Sequence, residues 1–148
     1  MTFGKLTAEN LNLVQEIGEK FTASVNYPGG FKYEAFSAVW TVLLSLGLGE
    51  IFFAHNGEKV VGLFGGVFNP DPFNGLMTAA EQFWYVLPEA RGTKASLRLF
   101  DMFEEEAKAR RCSRILMLRL EGEFADILSR LYERRDYKMA EQTFVKEI

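Results

Sequence analysis

Apolar positions recur with two different periods along the chain, and the switches between them mark its elements. Leu11, Val14, Ile17 and Phe21 fall at helical spacing behind Thr7, a side chain suited to cap a helix starting near Ala8. Asn26-Tyr27-Pro28-Gly29-Gly30 breaks that pattern. A second helix follows, with Phe36, Val39, Trp40, Leu43 and Gly47 on one stripe and Gly47 or Gly49 at its end. Glu50 to His55 and Lys59 to Phe68 read as strands joined by a tight Asn56-Gly57 turn. The second of them carries Gly62, Gly65 and Gly66, which implies close backbone approach or a bulge. After the loop at 69–75, a strand spans about Leu76 to Leu87.

A long helix then runs from about Thr93 to Arg111, with Ser96, Leu99, Phe103 and Ala107 on one face and Phe100 beside them. Ser113 to Leu120 reads as a buried central strand, because neither of its faces is strongly polar. A short helix with Phe124, Leu128 and Leu131 on one face follows, then a last strand from about Tyr137 to Val145. The unit at 76–120 implies a parallel, right-handed crossover, and the hairpin implies antiparallel pairing. The expected fold is mixed α/β: one domain over 1–148, with a mostly antiparallel twisted sheet and helices on both faces.

Composition narrows the function classes. The chain has 148 residues, 48% of them hydrophobic, so one ordinary core is expected, and its 14 Phe make that core Phe-rich. The net charge of −3 argues against broad nucleic-acid binding. The single Cys112 excludes an intramolecular disulfide and a cysteine-cluster metal site, which fits a reducing, cytoplasmic setting. The first residues have no apolar segment of signal-peptide type, and no run is long enough to span a membrane. No His, Cys, Asp or Glu spacing points to a metal. His55 reads as a turn residue and Cys112 as an inert packing residue.

The chemistry concentrates at 83–98. An aromatic strand, Phe83-Trp84-Tyr85-Val86-Leu87, crosses Pro88-Glu89-Ala90-Arg91-Gly92 and enters the long helix. A strand that runs through a small, basic turn into a helix N-terminus makes an anion site, because the first-turn N–H groups lack partners and the macrodipole favours negative charge. The amides of 92–96, with Arg91, Lys94 and Arg98, suit a pyrophosphate. A plain helix cap with solvated basic residues is the other reading of the same stretch.

Taken together, Val60-Val61-Gly62-Leu63-Phe64-Gly65-Gly66, the 83–92 stretch, Leu131-Tyr132-Glu133-Arg134-Arg135-Asp136-Tyr137 and a terminal strand resemble the GNAT superfamily of N-acetyltransferases over roughly residues 8–148. The likeness is to short members of the kind carried in phage and prophage genomes. The family's pyrophosphate loop, Arg/Gln-x-x-Gly-x-Gly/Ala, corresponds to Arg91-Gly92-Thr93-Lys94-Ala95-Ser96, with Lys94 and Ser96 where small residues are usual. The resemblance implies acetyl-CoA as acyl donor and a primary amine as acceptor, without a metal. It implies Tyr85 or Val86 main-chain N–H as the donor to the thioester carbonyl. It implies Glu81 as general base, against an edge carboxylate with no catalytic role, and Tyr132 as general acid, against a packed tyrosine. The acceptor groove is expected between the first two helices and the 26–34 and 69–78 loops, with Tyr27, Phe31, Tyr33, Trp40 and Phe73 as candidates. A homodimer is plausible, because relatives pair C-terminal strands across a dimer. The alternative function is a non-catalytic acyl-CoA-binding or protein-interaction module on the same fold.

Overall fold

The computed structural model describes all 148 residues. They divide into two compact units, Met1–Leu116 and Met117–Ile148.

The first unit is a five-stranded sheet in the order β1-β2-β3-β4-β5. Its strands are β1 (Thr2–Lys5), β2 (Gly49–His55), β3 (Val60–Pro70), β4 (Met77–Val86) and β5 (Arg114–Leu116). Neighbours pair antiparallel from β1 to β4, and β4 pairs parallel with β5. The fold is thus mixed α/β, as the periodicity predicts. The edge strand β1 has no counterpart in the sequence reading, because four residues are too few to display a period.

A 3-10 segment, Ala8–Val14, leads into α1 (Gln15–Ser24), and α2 (Tyr33–Ser45) follows the glycine loop. Gly47 ends α2 at φ +68, where Leu48 N–H reaches back to Leu43 O at 2.9 Å and Gly47 N–H to Leu44 O at 3.1 Å. That pair of bonds is the helix-ending motif for which a left-handed glycine is suited. The predicted hairpin forms around Asn56, whose Oδ1 accepts the Glu58 and Lys59 amides at 3.0 and 2.9 Å.

The glycines of β3 explain how two layers of aromatic side chains close on one strand. A Cβ on Gly62 would lie 2.9 Å from Leu99, and one on Gly66 2.3 Å from the Phe103 ring. Both rows therefore admit α3 (Ala95–Ala109), whose buried face is Ala95, Leu99, Phe100, Phe103 and Ala107. On the opposite face a Cβ on Gly65 would meet the Phe83 ring at 2.4 Å. Phe83 in turn contacts Phe36 and Trp40 of α2, with ring centroids 5.9 and 5.5 Å apart. The register slips by one residue between Gly65 and Gly66, so Gln82 and Phe83 stand against the single Gly65. Both expectations for these glycines, close approach and a bulge, hold at this strand.

Two strand expectations need correction. The strand after α3 is Arg114–Leu116, not Ser113–Leu120, and it is a half-exposed edge, not a buried centre. Its apolar residues continue past Leu116 as irregular chain. In the second unit, α4 (Ala125–Arg134) is the one regular element. The predicted strand from Tyr137 to Val145 does not form; Phe144 and Val145 are 91% and 88% exposed. A β-pattern specifies a strand only where a neighbour supplies the ladder bonds.

Candidate active site

The site forms where β4 loses its neighbour. β5 pairs with β4 only at Thr78, Ala79 and Ala80. From Glu81 to Val86, β4 has β3 on one side and no paired strand on the other. Leu87 N–H donates to Val61 O at 2.8 Å, so main-chain groups at Leu87, Tyr85 and Phe83 turn toward β3. Those of Trp84 and Val86 turn toward the open edge. Of the two amides proposed from sequence, Val86 faces that edge, while Tyr85 is engaged with β3 and offers its ring. Arg91 braces the strand end: its Nε donates to Val86 O at 3.0 Å and its guanidinium lies 5.5 Å from the Tyr85 ring centroid.

The chain then makes a single 3-10 turn, Pro88–Ala90, and enters α3. Gly92 has φ +79, a left-handed conformation, and nothing lies within 4 Å of the point where a Cβ would stand. Lys94 is right-handed at φ −67, ψ −7, so the loop asks for no glycine there. Thr93 holds the turn together: its hydroxyl donates to Ala90 O at 2.6 Å and accepts Ala95 N–H at 3.2 Å. The amides of Gly92, Lys94, Ser96 and Leu97 have no main-chain acceptor. Converging N–H groups at the start of a helix of 15 residues, with the Lys94 side chain exposed beside them, fit a pyrophosphate. Arg98 is directed instead to Glu105, 2.7 Å away.

A cavity of about 520 Å³ opens on the sheet face opposite α3. Phe83 and Tyr85 of β4 floor it, and α1, the 27–32 loop and α2 wall it. Gly18 on α1 makes room for Phe31, whose ring would lie 2.6 Å from a Cβ there. The Phe21 and Tyr85 rings meet at 5.4 Å, and Phe31 and Phe36 also at 5.4 Å. Of the aromatic side chains expected in the acceptor groove, Tyr27, Phe31 and Trp40 line this cavity; Tyr33 does not, and Phe73 is 97% exposed on its loop.

Glu81 is the first β4 residue beyond the β5 pairing and is 6% exposed. Its register partner is Gly66, on the α3 face. The bulge places its neighbour Gln82, not Glu81, among the cavity-lining residues. Gln82 escapes sequence reasoning because its facing depends on the register slip; the Gly65-Gly66 pair opposite was the available signal. Tyr132, in the second unit, is 9% exposed, and its hydroxyl donates to Leu118 O at 2.7 Å. His55 ends β2 beside the turn, and its Nδ1 accepts Gly57 N–H at 3.0 Å. Burial pushes the Cys112 thiol upward, the wrong direction for a nucleophile.

Residues 16–137 match the family model of the acetyltransferase (GNAT) family. The chain belongs to that family, and its five-stranded α/β sheet, with β4 turning into the long helix α3, is the corresponding fold. Solved structures agree at the level of the fold. A ribosomal-protein-alanine N-acetyltransferase from Brucella melitensis biovar Abortus is 18% identical, with full coverage of both chains and a TM-score of 0.72. A predicted acetyltransferase with acetyl-CoA from Clostridium acetobutylicum is 14% identical over 99% of this chain and 95% of its own, with a TM-score of 0.79. AAC(6')-Iy in complex with the bisubstrate analogue CoA-S-monomethyl-acetylneamine is 13% identical over 99% and 97%, with a TM-score of 0.77. No curated protein matches by sequence.

Proposed function

We propose that the whole chain is one catalytic domain that transfers an acetyl group from acetyl-CoA to a primary amine. The observation that carries this reading is the open edge of β4 running straight into the unpartnered amides of Gly92, Lys94, Ser96 and Leu97. Together they offer a free strand edge and a row of N–H donors to the strand-like arm and the pyrophosphate of one CoA molecule. Solved relatives of this fold hold acetyl-CoA or a CoA conjugate.

In this reading the amine attacks the thioester carbonyl directly. The C–N bond forms, the C–S bond breaks, and the departing thiolate takes up a proton while the amine nitrogen loses one. Val86 N–H, on the free edge, stabilises the charge that builds on the carbonyl oxygen. Tyr85 supplies apolar surface beside it. Arg91 keeps the strand end in place, Gly92 and Thr93 shape the loop, and Ala95 begins the helix whose dipole faces the phosphates. Lys94 adds a cation and Ser96 a hydroxyl to that anion site.

Glu81 takes the amine proton. It stands at the fork of β4 and β5 but on the α3 face, so the proton reaches it through water. Tyr132 is the acid that protonates the thiolate, a role drawn from the family resemblance; its phenol must exchange its Leu118 bond to act.

The test is release of free CoA from acetyl-CoA in the presence of an amine panel. Glu81→Gln is expected to lower kcat by at least tenfold at neutral pH and to recover at high pH, where the amine is already neutral. Tyr132→Phe is expected to lower kcat with little change in the KM for acetyl-CoA. Unchanged turnover in both variants would remove these roles, and failure of acetyl-CoA to raise the melting temperature would remove the donor assignment.

A further inference from the structure

The cavity beside β4 differs from the anion loop in one respect that defines its ligand. Its lining contains no Asp or Glu, and its one formally charged side chain is Lys32. Its volume, about 520 Å³, lies in the range of small-ligand sites, roughly 300–1,000 Å³. The wall is aromatic on three sides: Phe21 on α1, Phe36 and Trp40 on α2, Phe83 and Tyr85 on β4. Two of the polar side chains in the lining already hold hydrogen bonds within the chain. Thr22 Oγ1 donates back to its own helix, to Gly18 O at 3.1 Å. Gln82 Nε2 donates to Glu81 O at 3.2 Å, which leaves its Oε1 as an acceptor next to the fork.

We infer that the acceptor is a primary amine on an aromatic or aliphatic body with no second cationic centre, as in an arylalkylamine. The inference rests on the acetyltransferase reading for its reaction, though not for its binding. Each additional ammonium group would have to be buried without a carboxylate and beside Lys32, at a cost no neighbour offsets. A single amine is different. An apolar wall disfavours its charged form and so favours the neutral nucleophile that attack requires. Its N–H can be accepted by Gln82 Oε1, on the stretch of β4 that β5 leaves unpaired. The aromatic walls supply the apolar and ring-stacking contacts for the body. The acid-free lining thus disfavours polyamines, aminoglycosides and lysine-rich segments.

The inference is tested by calorimetric titration of the full chain, with and without saturating free CoA, using 2-phenylethylamine, 4-phenylbutylamine, spermidine and neamine. The two arylalkylamines are expected to bind at least tenfold more tightly than spermidine or neamine in at least one of the two states. In acetyl transfer, their kcat/KM is expected to exceed that of the polycations by a similar factor. Lys32→Glu, at an exposed rim position, is expected to shift the phenylethylamine-to-spermidine preference at least threefold toward spermidine. Equal or tighter binding of the polycations, no binding of either arylalkylamine, or a preference indifferent to Lys32→Glu would overturn the inference. Binding of 2-phenylethylamine without acetyl transfer would leave it standing and count against the enzyme reading alone.

Discussion

At the scale of single residues, the loop proposed to hold the pyrophosphate is built from unlike side chains. Gly92 supplies a left-handed turn, Thr93 pins it, and Lys94 adds charge without any backbone demand. Gly92→Ala forces a side chain into φ +79, at a cost of about 1–2 kcal/mol. Its expected result is a rise in the KM for acetyl-CoA on the order of tenfold, measured by steady-state kinetics. Lys94→Ala is expected to raise that KM less and to flatten its dependence on salt, since an exposed cation acts through screened charge. The strand-turn-helix junction that carries Gly92 and Lys94 was legible in the sequence because it is local. Gln82 was not, because a neighbouring strand decides which way it faces.

Among elements, β3 is the member that the others fit around. Its alternating glycines let α3 approach one face and the Phe83 ring the other. Gly66→Ala would drive a methyl group to 2.3 Å from the Phe103 ring, inside a layer where Phe64 and Phe103 already lie 4.5 Å apart. A loss of about 1–3 kcal/mol is expected, read from urea unfolding. Gly57→Ala, at a hairpin turn with open space around it, is expected to cost less than that, since only backbone strain opposes it. The helix period was read correctly for α3, where Leu99, Phe103 and Ala107 are buried, while on the predicted α2 stripe Trp40 is buried and Val39 is exposed. The expected strand at 137–145 failed for the converse reason: no ladder partner is present, and Phe144 and Val145 stay in solvent.

For the molecule as a whole, an ion-pair ring joins the first strand to the last turn of α3. Lys5 Nζ lies 2.6 Å from Glu106 and 3.4 Å from Glu50, and Arg110 closes the ring at 2.8 and 3.1 Å to the same carboxylates. The Arg110 guanidinium also covers the Phe68 ring at 4.1 Å. Partial burial works to raise the Glu106 carboxyl, but hydrogen bonds from Lys5 and Arg110 outweigh it and hold it below the ordinary range. A depressed carboxylate stabilises the fold fully above its unfolded pKa of about 4.3, and that contribution is lost as pH falls through the folded value. Glu106→Gln is therefore expected to cost about 0.5–1 kcal/mol at pH 7 and to flatten the acid limb of a melting-temperature profile below about pH 5. Lys5 behaves in the opposite sense. Burial lowers it, its carboxylate partners raise it by more, and its contribution disappears as pH rises through the folded value. This ring was not readable from the sequence, since Lys5 and Glu106 lie 101 residues apart along the chain. The sequence by itself determined the helices, apart from the 3-10 start of the first, the hairpin and the strand-turn-helix junction, because each depends on neighbours within a few residues. Tertiary structure alone decided which amide of β4 faces the open edge, on which face Glu81 and Gln82 lie, and that the aromatic cavity carries no acid. Those properties follow from strand register and from helices packed across the sheet, and a chain read in one dimension does not contain them.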